Sequence, residues 1–352
     1  MSRIQFRGPA AVWALCLLFG SVPAYAQENG AAAVSETAEK IVTFSEAPGG
    51  ICSIVGADDA QLALALAKRG SFVVQCLAKT PEIRDRIRRE IRAAGKYGMV
   101  SADVLSGGHL PYTNNLVNIV IVNDHTKTGE NGTSVNEILR VLAPLGTAYI
   151  RVSGSKSNER SERLTERLRG AAVADLGSVE SGGAWIRFHK PWPADIDEWT
   201  HFLHGADGNP VARDRVIGPP RHYQWLSDPV WMRSHETDSS ISTLVTAKGR
   251  LFAIVDEAPI SLAGRHALPD KWVLSARDAF NGVPLWKVPI RRWGWREWKP
   301  SWFNTRPGDV PLNIQKRLVA NGDDVYATLG YYAPVSRLDA KTGKILRTYE
   351  NT

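Results

Sequence analysis

Residues 51–70 read ICSIVGADDAQLALALAKRG, and this stretch decides the fold of the first half of the chain. Residues 51–55 are a short apolar run of strand type. Gly56-Ala57-Asp58-Asp59 is turn chemistry, with Asp58 or Asp59 placed to cap a helix. Leu62, Ala65 and Leu66 then recur at helical spacing along residues 61–68, and Gly70 closes the segment. A buried strand, a glycine turn and a helix whose N-terminus faces that turn form the nucleotide-cradling unit of a doubly wound sheet.

The same alternation continues downstream. Strands are expected at 71–77 (SFVVQCL), 99–104, 116–123 (LVNIVIVN), 147–152 and 184–188. Helices are expected at 81–94, with Pro81 in the first turn, at 134–142 and at 158–170, with Leu164 and Leu168 inward. The near-continuous apolar run at 116–123 suits a strand covered on both faces. Strand–helix alternation over 50–190 argues a mainly parallel, doubly wound α/β sheet. Cys52 and Cys76 fall on its first two strands, either as a disulfide or, the preferred reading, as two buried free thiols.

Upstream, Arg3 and Arg7 precede an apolar run at 10–20, and Ala24-Tyr25-Ala26 follows. The run is too short to span a bilayer, so 1–26 reads as a secretory signal cleaved after Ala26. Cys16 lies inside the run, which argues against a lipid anchor. An exported protein, periplasmic or at the cell surface and not integral to the membrane once cleaved, is the expectation. Residues 27–49 read as a flexible lead-in. The net charge of +7 comes without any dense lysine/arginine tract, so no nucleic-acid partner is expected.

The order of elements in 50–190 resembles a class I S-adenosylmethionine-dependent methyltransferase domain. ICSIVGADD stands where that family has its glycine-rich first motif, and Ala102-Asp103-Val104 where an acidic residue meets the adenine. LPYTNNLVNIVIVND and ILRVLAPLGTAYI match the fourth-strand segment and the helix, turn and strand after it. The resemblance implies S-adenosylmethionine as cofactor, with Gly56, Asp58 and Asp103 as its contacts. The chain departs from the family at three points. Gly56 is the only glycine left in the first motif, the second strand ends Val74-Gln75-Cys76-Leu77 without the carboxylate that grips the ribose, and Asn118 replaces a common aspartate. Each lost charge-assisted hydrogen bond costs about 1.5–3 kcal/mol. The expectation is therefore a diverged relative rather than a working cofactor site.

Residues 191–228 change texture. PWPADIDEWTHFLHGADGNP sets His201 and His204 three apart with Asp197 and Asp207 near, a start for a zinc or iron site if the segment is helical. The preferred reading is a linker packed on the next domain by its aromatic residues, with no metal.

Residues 229–352 repeat. Arg277-Asp278-Ala279-Phe280-Asn281-Gly282-Val283-Pro284-Leu285-Trp286 is echoed by Leu338-Asp339-Ala340-Lys341-Thr342-Gly343-Lys344-Ile345-Leu346-Arg347, the two aspartates 61 residues apart. Before each copy lies a hairpin pattern, LVTAKGRLFAIV at 244–255 and LVANGDDVYATL at 318–329. Four strands per repeat make one blade of a β-propeller. These repeats resemble pyrroloquinoline-quinone-type propellers, in which the Asp-Ala turn and the closing tryptophan tie neighbouring blades. Together with PWPADIDEWTHFLH they are similar to exported bacterial proteins that join a methyltransferase-like domain to such a propeller. A propeller closes with about 4–8 blades, whereas 229–352 builds about two, so an incomplete propeller from a truncated copy of a longer protein is expected. Quinone binding is not, because neither the ring of blades nor the adjacent cysteine pair is present.

From Trp293 to Trp302, four tryptophans interleave with basic residues (RRWGWREWKPSW). This is either a stacking platform for a glycan or an anionic ligand, or an insertion using indoles to cover the side of the sheets. The combined expectation is an exported binding or scaffold protein. The alternatives are an active methyltransferase or, in a full-length form, a quinone-dependent dehydrogenase.

Overall fold

The computed structural model describes residues 24–123, 133–152, 157–180, 184–220, 222–228, 232, 240–258, 271–298, 311 and 313–352. The apolar run at 10–20 and Trp302 lie outside them. Helix α1 (Ala24–Ser45) corrects the expectation of a flexible lead-in. Val34, Ala38, Ile41 and Ser45 recur at helical spacing, and Ala38 and Ile41 are fully buried. The helix is held at its end, where Tyr149 Oη donates to Lys40 O and Phe44 stacks on His189.

The α/β half then follows the expected order. It runs β1 (Gly49–Val55), α2 (Gln61–Leu66), β2 (Ser71–Ala78), α3 (Pro81–Ala93), β3 (Val100–Val104), β4 (Val117–Val122), α4 (Val135–Val141) and β5 (Leu142–Val152). α5 (Ser157–Gly170), β6 (Ala174–Glu180) and β7 (Ala184–His189) complete it. Local chemistry sets the helix starts. Thr80 Oγ1 accepts from Ile83 N ahead of Pro81, and Ser134 Oγ accepts from Glu137 N. The seven strands form one sheet in the order β3-β2-β1-β4-β5-β7-β6. The first five are parallel, whereas β7 runs antiparallel to β5 and β6 antiparallel to β7. The sequence pattern shows no β6, because left-handed Asp175 and the Gly177 break interrupt any alternation.

Two four-stranded antiparallel sheets follow. The first contains β8 (Ile241–Ala247), β9 (Arg250–Asp256), β10 (Trp272–Asp278) and β11 (Pro284–Pro289). After the short helix α6 (Trp295–Trp298), the second contains β12 (Leu318–Asn321), β13 (Asp324–Thr328), β14 (Val335–Asp339) and β15 (Ile345–Tyr349). Each is a simple meander. Val245, Phe252 and Leu274 of one sheet share a core with Leu318, Val325 and Leu338 of the other.

An indole ties the sheets. Trp286 Nε1 donates to Ala340 O at 3.0 Å, and a Cβ on Gly343 would lie 2.6 Å from the ring, so only glycine admits it. The same arrangement occurs once more upstream. Trp225 Nε1 donates to Ala279 O at 3.1 Å, and its ring covers Gly282. Trp225 stands 61 residues before Trp286, which is the spacing of the Asp-Ala turns. The 191–228 segment is therefore part of the sheet half. Trp199 N and O both bond Thr246 of β8, and Thr200 O accepts from Ala320 N of β12.

The two halves meet at the N-terminal ends of the parallel strands. Asn118, one residue into β4, is the centre of that junction. Its Oδ1 accepts from Ile51 N at 2.8 Å and from Asn281 Nδ2 at 2.7 Å, while its Nδ2 donates to Asp278 Oδ2 at 2.7 Å. Asp278 Oδ1 in turn accepts from Phe280 N and Asn281 N, forming the Asp-Ala turn. Gly50 is glycine for a related reason. It sits at φ +120°, and a Cβ there would fall 1.9 Å from Asn118 Oδ1.

Two outcomes are expected. Trp286→Ala should cost about 1–3 kcal/mol in urea unfolding, since a half-buried indole loses its hydrogen bond to Ala340 O and its cover of Gly343. Burial pushes the Asp278 carboxyl up, so its contribution favours folding at low pH and fades as pH rises through the raised value. Asn118→Asp, which restores the residue of the resembled family, sets a second carboxylate against it. It should cost about 3–5 kcal/mol at neutral pH, as an uncompensated buried charge does. That loss should shrink as pH falls, and urea midpoints across pH would read it.

Candidate functional site

The resemblance puts a cofactor at the C-terminal ends of β1–β3. There Gly56 is left-handed (φ 72°), as the turn demands. Its N–H and that of Ala57 both donate to Leu77 O, at 2.9 and 3.1 Å, so the turn closes back onto β2. Helix α2 offers its first N–H groups to the same region, and carboxylates of the chain take them. Asp59 Oδ1 accepts from Gln61 N at 2.9 Å, and Glu90 Oε2 accepts from Ala60 N at 2.8 Å. The N-cap position is Ala60, which carries no side-chain cap, so of the two candidate aspartates Asp59 meets the helix start from one residue ahead of it.

Asp58 contributes through its backbone, where its carbonyl accepts from Arg86 Nη2. Asp103 is exposed. Its Oδ1 accepts from Val104 N at 2.8 Å, and Arg88 Nη2 stands 4.0 Å away. The three candidates Gly56, Asp58 and Asp103 share one edge of the sheet, but Asp58 and Asp103 are held by different arginines of α3. Where the family grips ribose with an acid, β2 ends in Ala78 and continues to Lys79, whose Cε lies beside Gly56.

The backbone N–H groups of Gly56, Ala57, Ala60 and Gln61 are all taken up by the chain itself, with Asp58, Asp59 and Lys79 flanking the turn.

Beneath this edge lies a polar trio that the sequence pattern did not reveal. The Tyr112 hydroxyl reaches Gln75 Oε1 at 2.7 Å and Ser53 Oγ at 2.9 Å, joining β1, β2 and the β3–β4 connection. Burial raises the Tyr112 hydroxyl well above its ordinary range, so it acts as a neutral hydrogen-bonding group. Cys52 and Cys76 are free and buried. Burial pushes the Cys76 thiol up to about 12, far from the range of a reactive thiolate.

His201 and His204 do not share a helix face. They face each other across a tight turn as an isolated antiparallel bridge, with His204 left-handed. His204 Nε2 bonds Asp197 Oδ2 at 2.7 Å, while His201 Nδ1 bonds Thr200 Oγ1 at 2.8 Å. Asp197 also accepts from Arg213 N and Glu198 N, leaving the pair built into the loop. Asp207 bonds Asn209 N. Among the described residues no cluster of three metal-ligating side chains occurs.

In the tryptophan-rich stretch, Trp293 and Trp298 are buried, in ring contact with each other, with Trp272 and with Tyr331. These two indoles cover the sheet core. No helix among the described residues is long and apolar enough to cross a membrane.

No protein family and no curated protein sequence matches the chain. Solved structures do resemble its α/β half. One, from Methanococcus maripaludis and assigned as an S-adenosyl-L-methionine-dependent methyltransferase, shares 18% identity at a TM-score of 0.41, over 47% of this chain and 89% of that one. A SAM-dependent methyltransferase from Aquifex aeolicus shares 16% at 0.35, over 43% and 87%. Precorrin-6y C5,15-methyltransferase from Geobacter metallireducens shares 10% at 0.35, over 44% and 88%. At these values the likenesses say nothing of chemistry, and the methyltransferase-like Rossmann fold follows from the strand order.

If the α2 end is a structural cap, Glu90→Ala should cost about 0.5–2 kcal/mol. Asp103→Ala should stay within about 0.5 kcal/mol, as for an exposed side chain. Paired urea titrations measure both.

Proposed function

We propose that the chain is an exported binding or scaffold protein, in which a diverged methyltransferase relative is joined to blades of a β-propeller. One observation carries the reading: the nucleotide turn and the α2 N-terminus are satisfied by Leu77 O, Asp59 and Glu90 of the chain itself. A cofactor would have to displace two carboxylates and reopen two backbone hydrogen bonds before making any of its own. Export is supported by Arg3, Arg7, the apolar run at 10–20 and Ala24-Tyr25-Ala26. The propeller reading is supported by two four-stranded meanders, the 61-residue period and the paired indole ties of Trp225 and Trp286.

Calorimetric titration of the full chain with S-adenosylmethionine and S-adenosylhomocysteine tests the proposal. No saturable heat should appear below about 1 mM, whereas micromolar binding is what a working nucleoside site gives. Saturable micromolar binding of either compound overturns the reading in favour of an active methyltransferase, with Asp103 at the adenine and Gly56 at the methionyl carboxylate.

A further inference from the structure

The junction between the halves encloses a cleft of about 460 Å³, within the range of about 300–1,000 Å³ typical of small-molecule sites, which favour domain interfaces. It opens at the N-terminal ends of the parallel strands, the edge opposite the closed nucleotide turn. Its polar wall comes from both halves. Lys341 of the second sheet reaches Glu46, just past α1, at 2.8 Å. Asp323, in the β12–β13 turn, holds Lys248 Nζ at 2.6 Å and Arg250 Nη2 at 2.9 Å. Burial acts to raise the Asp323 carboxyl, but these two cations outweigh it and hold it at about 2.

These five groups are three cations and two carboxylates. The other charged lining groups are matched or turned away. His189 is paired with Asp175, Lys190 Nζ donates to Asn115 Oδ1, Leu139 O and Leu142 O, and Asp278 is engaged by Asn118. By formal charge the lining balances, with Lys190, Lys248, Arg250 and Lys341 against Glu46, Asp175, Asp278 and Asp323, so what sets the cleft apart is how loosely two of its lysines are paired. An ammonium carries three donors. Lys248 and Lys341 each spend one on a carboxylate that is itself exposed, 50% for Asp323 and 73% for Glu46. Such pairs are weak and open to competition. The apolar wall is Trp192 and Phe280, edge to face with ring centroids 6.3 Å apart. A flat ring laid against them would stand beside the lysines.

We propose that this cleft binds a small organic anion with a planar aromatic body, its head on Lys248 and Lys341 and its ring against Trp192 and Phe280. The proposal deepens the binding-protein reading by naming a ligand class. It stands apart from the cofactor test, because its probe and its site differ from those of S-adenosylmethionine.

Phenyl phosphate is the probe and inorganic phosphate the control, titrated into the full chain with tryptophan fluorescence and calorimetry as readouts. Phenyl phosphate should bind saturably and about tenfold tighter than phosphate, the difference being the buried ring. Lys341→Met should weaken phenyl phosphate about tenfold by removing a head-group contact. Glu46→Gln, which frees Lys341 from its competitor, should tighten it severalfold. Trp192→Leu should remove the preference over phosphate.

The opposite signs are the discriminating result. Both variants break the Glu46–Lys341 bridge between the halves, so a merely structural role moves them the same way. Absence of saturable phenyl phosphate binding up to about 10 mM, the weak end of specific recognition, overturns the proposal. So does an equal response in Lys341→Met and Glu46→Gln. A wild-type protein that binds S-adenosylmethionine but not phenyl phosphate defeats both readings separately.

Discussion

One carboxamide holds the molecule's two halves in register. Asn118 satisfies a backbone N–H of β1, accepts from Asn281 and donates to Asp278, so one amide serves the parallel sheet and the first Asp-Ala turn together. The group is part-buried, and any of its three partners left alone would cost about 1–3 kcal/mol. That constraint explains the neighbouring residues. Gly50 is bare because the amide lies against it, and β4 carries asparagine because an aspartate would face a carboxylate already lifted by burial. What reads in sequence as an eroded methyltransferase motif is, in the fold, a contact between the halves.

The two edges of the parallel sheet have been treated oppositely. At the C-terminal edge the chain supplies its own anions to α2 and its own carbonyl to the Gly56 turn, which leaves little for a ligand to gain. At the N-terminal edge the strands abut a second layer of structure, and the gap between them keeps charges whose partners are exposed to water. Electrostatics therefore points to the edge that the fold class does not ordinarily use, and fold by itself does not fix function.

Periodicity made much of this legible. The strands and helices from residue 50 to 190 follow from apolar runs and caps such as Thr80 and Ser134, because those signals are local. The two hairpins and the 61-residue repeat were equally readable, the second hairpin turning at Gly322-Asp323. Helix α1 was missed because alanine-rich, polar sequence looks unstructured until Ala38 and Ile41 are seen to share a face. A spacing of three would put His201 and His204 on one face only in a helix, and it does not reveal the left-handed His204 that makes a turn instead. The junction was illegible for a different reason. Asn118 and Asp278 are 160 residues apart, and no local pattern says that they touch.

Trp225 carries a practical corollary for anyone dividing this chain into fragments. Residues 191–228 look like a tether, and the natural cut would fall after Asp228. Yet that indole clasps the first sheet, Asp228 receives the Arg277 guanidinium, and Trp199 zips along β8. A fragment begun at residue 229 would leave an open aromatic socket over Gly282. The severable point lies earlier, where Pro191 leaves the last strand of the α/β layer.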